Sequence, residues 1–163
     1  MRRELLLFLF VVILFPACSS ADDLTWIMPE KMGEMHRIQL VSGNAAQVEV
    51  NKLHGKVLIA EASVIGRYSR PEDVGMTRPA EVWVSRVSSD SEARRQTGLM
   101  VHKMYQNPKS PFKSPKRIEH AGLSVYRFTG MGQVHFIWYK GDLTYWISAK
   151  PADEAVMLDG FCK

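Results

Sequence analysis

LSVYRFTGMGQVHFIWYKGDLTYWIS, residues 123–148, is the stretch that decides the fold. It holds three runs of alternating β-branched and aromatic residues, 123–129, 133–140 and 143–148, parted by Gly130-Met131 and Gly141-Asp142. Short glycine-bearing linkers between such runs are hairpin turns, so the chain closes with an antiparallel meander. If each linker is two residues long, the pairing follows. Trp138 then lies opposite Tyr145, Ile137 opposite Trp146 and His135 opposite Ser148; in the first hairpin Tyr126 lies opposite His135 and Phe128 opposite Gln133. One face carries Leu123, Val125, Val134, Phe136, Trp138, Tyr145 and Ile147, a core face expected to lie under helices. The other mixes rings with polar tips: Tyr126, Phe128, Gln133, His135, Ile137, Tyr139, Trp146 and Ser148.

Elements on either side extend this sheet. Downstream, 151–158 reads as a helix with Pro151 in its first turn, Asp153 and Glu154 near its positive end, and Gly160 at its stop. Upstream, Ser89-Asp90-Ser91-Glu92 is a capping box. It opens a helix that carries Ala93, Gln96, Met100, Val101, Met104 and Tyr105 at helical spacing. Before it come a strand at 80–88, a proline-bearing loop at 70–79 and a strand at 57–68 with apolar residues on both sides, as in a central strand. A helix from the cap at Ser42-Gly43-Asn44 through Leu53 ends at Gly55, and a short strand at 36–41 precedes it. Residues 28–34 read as an extended lead-in, and 107–117 as a basic loop punctuated by Pro108, Pro111 and Pro115. The order βαββαβ followed by ββα predicts an α+β domain: one antiparallel sheet with helices packed on one face. The specific expectation is a ferredoxin-like core extended by a C-terminal hairpin and helix.

The address is written at the other end of the chain. Met1-Arg2-Arg3 is basic, residues 5–15 are unbrokenly apolar, and Pro16-Ala17-Cys18 follows. Such a run is too short to span a bilayer and fits the apolar centre of a secretory signal. Ala17-Cys18-Ser19-Ser20 resembles the lipobox of bacterial lipoproteins. In that family cleavage falls before the cysteine, whose thiol then carries lipid. The resemblance covers the signal alone, and Phe15 and Pro16 depart from the family's usual residues. The alternative is cleavage after Ala21, with Ser19 and Ala21 as the small residues. The lipoprotein reading divides the chain into a signal peptide (1–17), a tether (18–27) and a single globular domain (28–163). It implies lipidation of Cys18 and a lipid anchor to the periplasmic side of an outer membrane or to the cell surface. Ser19, rather than Asp, follows the cysteine, which in that family implies transport to an outer membrane.

Composition narrows the function classes. The net charge of +4 is too small for nucleic-acid binding, and export makes nucleic acid a poor partner. With only Cys18 and Cys162 present, a disulfide framework is excluded, and Cys162 reads as a half-buried apolar residue. The Gly-x-Ser-x-Gly, His-Glu-x-x-His, P-loop and dinucleotide-binding patterns are missing, as is zinc-type spacing.

Two surfaces remain. The first is the mixed sheet face, where Tyr126, His135, Tyr139 and Trp146 could bind a ligand or protein, since rings with polar tips give contact area with few torsions to freeze. The competing account has this face packed under the N-terminal segment or the proline-rich loop, with His135 satisfied internally. The second is the basic loop, whose Lys109, Lys113, Lys116 and Arg117 could meet anionic headgroups or acidic polymer. Methionine also recurs beside histidine: Met28, Met32 and Met35 precede His36, a soft ligand set suited to Cu(I) or haem.

The expectation is therefore an extracytoplasmic, membrane-anchored lipoprotein acting as a non-enzymatic binding or accessory module of the cell envelope. Its partner would be an envelope protein, a polymer or a small apolar ligand, and no cofactor is expected. The alternatives are a soft-metal or haem carrier using Met28, Met32, Met35 and His36, and an enzyme with an unrecognised site.

Overall fold

The structure, a computed structural model, describes residues 23–54 and 57–163. The expected signal, Cys18 and the tether as far as 22 lie outside the described residues. Chain order is β1 (Lys31–Met32), β2 (Met35–Ser42), α1 (Gly43–His54), β3 (Ala62–Ser69), β4 (Ala80–Arg86), α2 (Asp90–Gln106), β5 (Lys113–His120), β6 (Leu123–Gly130), β7 (Gln133–Lys140), β8 (Leu143–Ala149) and α3 (Glu154–Phe161). Short 3-10 turns precede β1, β4 and α3. Leu24, inside the stretch expected to be tether, is buried in the main core together with Met28.

The eight strands make one sheet in the order β1-β2-β3-β4-β8-β7-β6-β5, and every neighbouring pair is antiparallel. The α+β class and the antiparallel sheet stand. The ferredoxin-like pairing does not: a βαβ unit lays helix-linked strands parallel in the sheet, whereas α1 returns the chain to the antiparallel neighbour of β2. Helix α2 instead carries it from β4 past three strand positions to the far edge, and β5 to β8 then meander back to pair with β4.

Helices cover both faces, not one. Helices α1 and α2 lie on one side, over β2–β3 and β7–β8 respectively, while α3 and the N-terminal turn close the other. The reason is that neither face is polar enough to leave wet. Beneath α3, Val64, Tyr68, Val82, Phe136 and Ile147 pack with Met157, Leu158 and Phe161, and Trp138 stacks on Tyr145 at 4.7 Å and 5°. The opposite face carries the cross-strand row Ile65, Trp83, Trp146, Ile137 and Tyr126. Burial of both rows supplies most of the favourable free energy.

Two ion pairs fix α3 at its start. The Arg70 guanidinium donates to both oxygens of Asp153, at 2.6 and 3.2 Å, and Asp153 is 2% exposed. Arg127 donates to both oxygens of Glu154 at 2.8 and 2.9 Å. Both carboxylates sit at the positive end of the helix dipole. The helix runs through Gly160 instead of stopping there. Among the described residues no helix is long and apolar enough to cross a membrane.

Three further sequence expectations are corrected. The strand expected over 57–68 starts only at Ala62. Side-chain amides take over the backbone groups of the preceding segment: Asn51 Oδ1 accepts from the Leu58 amide, and Gln47 and Gln96 donate to the Leu58 and Ile59 carbonyls. The basic loop expected over 107–117 is shorter, because Lys113–His120 joins the sheet as edge strand β5. A bulge between Lys113 and Lys116 accommodates Pro115, and proline and lysines on an edge deter further pairing. The first C-terminal hairpin turns at Met131-Gly132, both at positive φ (53° and 77°), as a tight hairpin turn requires. The pairing moves by two: Phe128 lies opposite His135 and Tyr126 opposite Ile137. The expected pairing of the second hairpin holds throughout.

Candidate functional site, a cleft between two helices

Helices α1 and α2 leave a gap between them above β4 and β8. The floor of that gap is set by strand register: Trp83 lies opposite Trp146 and Ser85 opposite Thr144. Val50 and Leu53 of α1 form one wall, and Gln96, Thr97, Met100 and Lys103 of α2 the other. Residues 57–60 close one side, held by the amide bonds just described. The result is a mainly apolar cleft of about 200 Å³. Leu53, Val57, Ile59 and Leu99 stand exposed around it.

A second cavity, of about 310 Å³, adjoins the first and shares Leu53 and Trp146 with it. Arg78, Gln133, His135, Ser148, Phe112 and Met131 also line it. Phe112 meets His135 edge-on at 4.9 Å and Trp146 at 5.5 Å. Its segment can come that close because residue 130 is glycine: a Cβ there would sit 2.4 Å from the Pro111 carbonyl oxygen.

Most polar groups around the two cavities are already engaged. Trp146 Nε1–H donates to Ser148 Oγ at 3.1 Å, and Ser148 Oγ stands 2.8 Å from His135 Nδ1. His135 Nε2 lies 3.1 Å from the Gly130 carbonyl. A carbonyl only accepts, so Nε2 carries the proton and Nδ1 accepts from the serine hydroxyl. Burial keeps this imidazole below its ordinary pKa; the Gly130 bond opposes the shift and nearby Arg78 adds to it. Trp83 Nε1–H donates to Glu81, which also receives Arg67. Glu92 is held down to about 2, chiefly by the hydrogen bond from Arg95 and then by that from Gln96. Thr144 Oγ1 donates to the Ser85 carbonyl. The exception in the cleft is the Thr97 hydroxyl, buried with no partner. Of the lining cations, Lys103 and Arg78 make no ion pair among the described residues, whereas Arg95 holds Glu92.

Of the four ring residues expected to bind, Trp146 lines both cavities and His135 only the second, itself 1% exposed. Tyr126 is half-buried against the apolar patch under α2, and half-buried Tyr139 lines neither cavity. Met28, Met32 and Met35 are buried in the main core, while the alternation of β2 turns His36 outward. Among the described residues, no cluster of three or more His, Cys, Asp or Glu could hold a metal ion. Cys162 is buried. Sequence reasoning missed Trp83, Leu53 and Thr97 as cleft residues. Gln96 and Met100 belong to the set read at helical spacing on α2, of which Tyr105 is exposed; how far α2 stands from α1 across the sheet is a tertiary property.

Comparison with models of protein families, with curated proteins and with solved structures returns no match for this chain.

Proposed function

We propose that the chain is a non-enzymatic binding module of the bacterial cell envelope, anchored through lipid on Cys18, whose ligand enters the cleft between α1 and α2. One observation carries the binding half of this reading. The cleft is an open, mainly apolar concavity over a two-tryptophan floor, and the protein has engaged most of its polar groups elsewhere. Concavities of this kind are where small apolar molecules gain most from leaving water. The address rests on the basic start, the apolar run and Ala17-Cys18. The exposed lysines of β5 and the turn before it suit a protein held near anionic lipid. The soft-metal reading gains no support, since three packed sulfurs and an outward imidazole make no ligand set.

The test uses the tryptophans of the floor. Titration with 1-anilinonaphthalene-8-sulfonate should change the fluorescence of Trp83 and Trp146 and saturate. Leu53→Glu, on the exposed rim, should weaken that binding about tenfold, a loss of about 1.4 kcal/mol, without lowering the melting temperature. Val48→Glu, exposed on α1 but outside the cleft, should leave it unchanged. Equal binding by the native protein and Leu53→Glu would place the ligand elsewhere.

A further inference from the structure

The charge distribution around the cleft narrows the ligand class, granted that the cleft is the binding site. Each carboxylate in its lining is committed: Glu92 holds Arg95 and Gln96, and Glu81 of the neighbouring cavity holds Arg67 and Trp83. The Lys103 ammonium on α2 has no carboxylate partner among the described residues. Thr97, on the same helix and among the lining residues, has a buried hydroxyl that no group of the protein bonds. A buried hydroxyl without a partner is costly, and a ligand oxygen would relieve that cost. Between these groups the surface is Val50, Leu53, Met100, Trp83 and Trp146. A partner that fits has one apolar stretch and one anionic end.

We infer that the cleft binds a single-chain fatty carboxylate, its alkyl chain on the Trp83–Trp146 floor and its carboxylate toward Lys103 and the Thr97 hydroxyl. The volume of about 200 Å³ suits one chain and not the paired chains of a diacyl lipid. One unpaired ammonium in the lining balances a single negative charge. A phosphate monoester carries nearly two at neutral pH, and the other unpaired cation, Arg78, lines the adjoining cavity instead.

Protein produced from the full-length coding sequence is titrated with dodecanoate, dodecanol and dodecyl phosphate, with tryptophan fluorescence and calorimetry as readouts. Dodecanoate should bind about tenfold more tightly than dodecanol, through its charge contact with exposed Lys103. Lys103→Gln should remove that advantage and leave dodecanol unchanged. Thr97→Val, which keeps the shape of the side chain, should weaken dodecanoate without destabilising the fold. Equal affinity for acid and alcohol, indifference to Lys103→Gln, or tighter binding of the phosphate would overturn the carboxylate assignment while leaving the cleft as the site. Failure of all three ligands to bind would overturn both this assignment and the cleft as an apolar site.

Discussion

His135 shows how a residue with a functional look can be spent on structure. Its two nitrogens close a chain of bonds from Trp146 through Ser148 to the Gly130 carbonyl, under the edge of Phe112. That chain requires the neutral ring, and burial depresses its pKa. In the unfolded chain the same imidazole takes up a proton near its ordinary value of 6.5. Its contribution to stability is therefore complete above that value and is lost as pH falls through it toward the lower folded pKa. The urea midpoint should drop between pH 7.5 and pH 5.5, and His135→Gln should flatten that part of the profile. An unchanged slope in the variant would assign the dependence to another group. The mixed composition around His135 was legible in the sequence, and so was its pairing with Ser148. Its burial under the proline-rich 107–117 segment was legible as the competing account, and Phe112 bears that account out. What the sequence did not show is which ring covers it, since Phe112 arrives by way of a glycine whose role is only to leave room.

Among the elements, legibility followed locality. One half of the capping box at Ser89 is formed, with Ser89 Oγ accepting from the Glu92 amide at 3.2 Å three residues away, while the Glu92 carboxylate turns to Arg95 and Gln96 instead of reaching back. Strand β7 starts and stops where alternation places it. The 57–61 segment was misread because its β-rich composition is overruled by three amide side chains on α1 and α2. Strand β5 was missed because proline and lysine read as loop, although an edge strand tolerates both. The placement of α3 was also beyond local signals, since it depends on Arg70 and Arg127, far away in sequence. Asp153→Asn should cost about 2 kcal/mol in chemical denaturation. That is less than the loss from a fully buried pair, because Arg70 keeps about a quarter of its side chain in water. A loss under about 0.5 kcal/mol, the range of a surface pair, would show that the apolar face of α3 alone holds it in place.

For the whole molecule, the decisive contact is β4 against β8. It joins residues 80–86 to 143–149, with α2 and three strands between them in the chain. Each flanking portion of the sheet is built from neighbours in sequence: β1 to β4 on one side, β5 to β8 on the other. Loop-closure entropy favours forming both portions before they join. Val82, fully buried on β4 opposite Ile147, reports on that step. Val82→Ala should cost about 2 kcal/mol, mostly as faster unfolding with the folding rate nearly unchanged. A matching slowdown of folding would mean that the junction forms early.

The Trp83–Trp146 floor lies directly on this junction. A molecule seated there grips both portions of the sheet at once, with α1 on one flank and α2 on the other. It would act as a clasp over the β4–β8 line, so heat resistance should climb with the logarithm of its concentration, and a starved protein should open along that line before it loses either half.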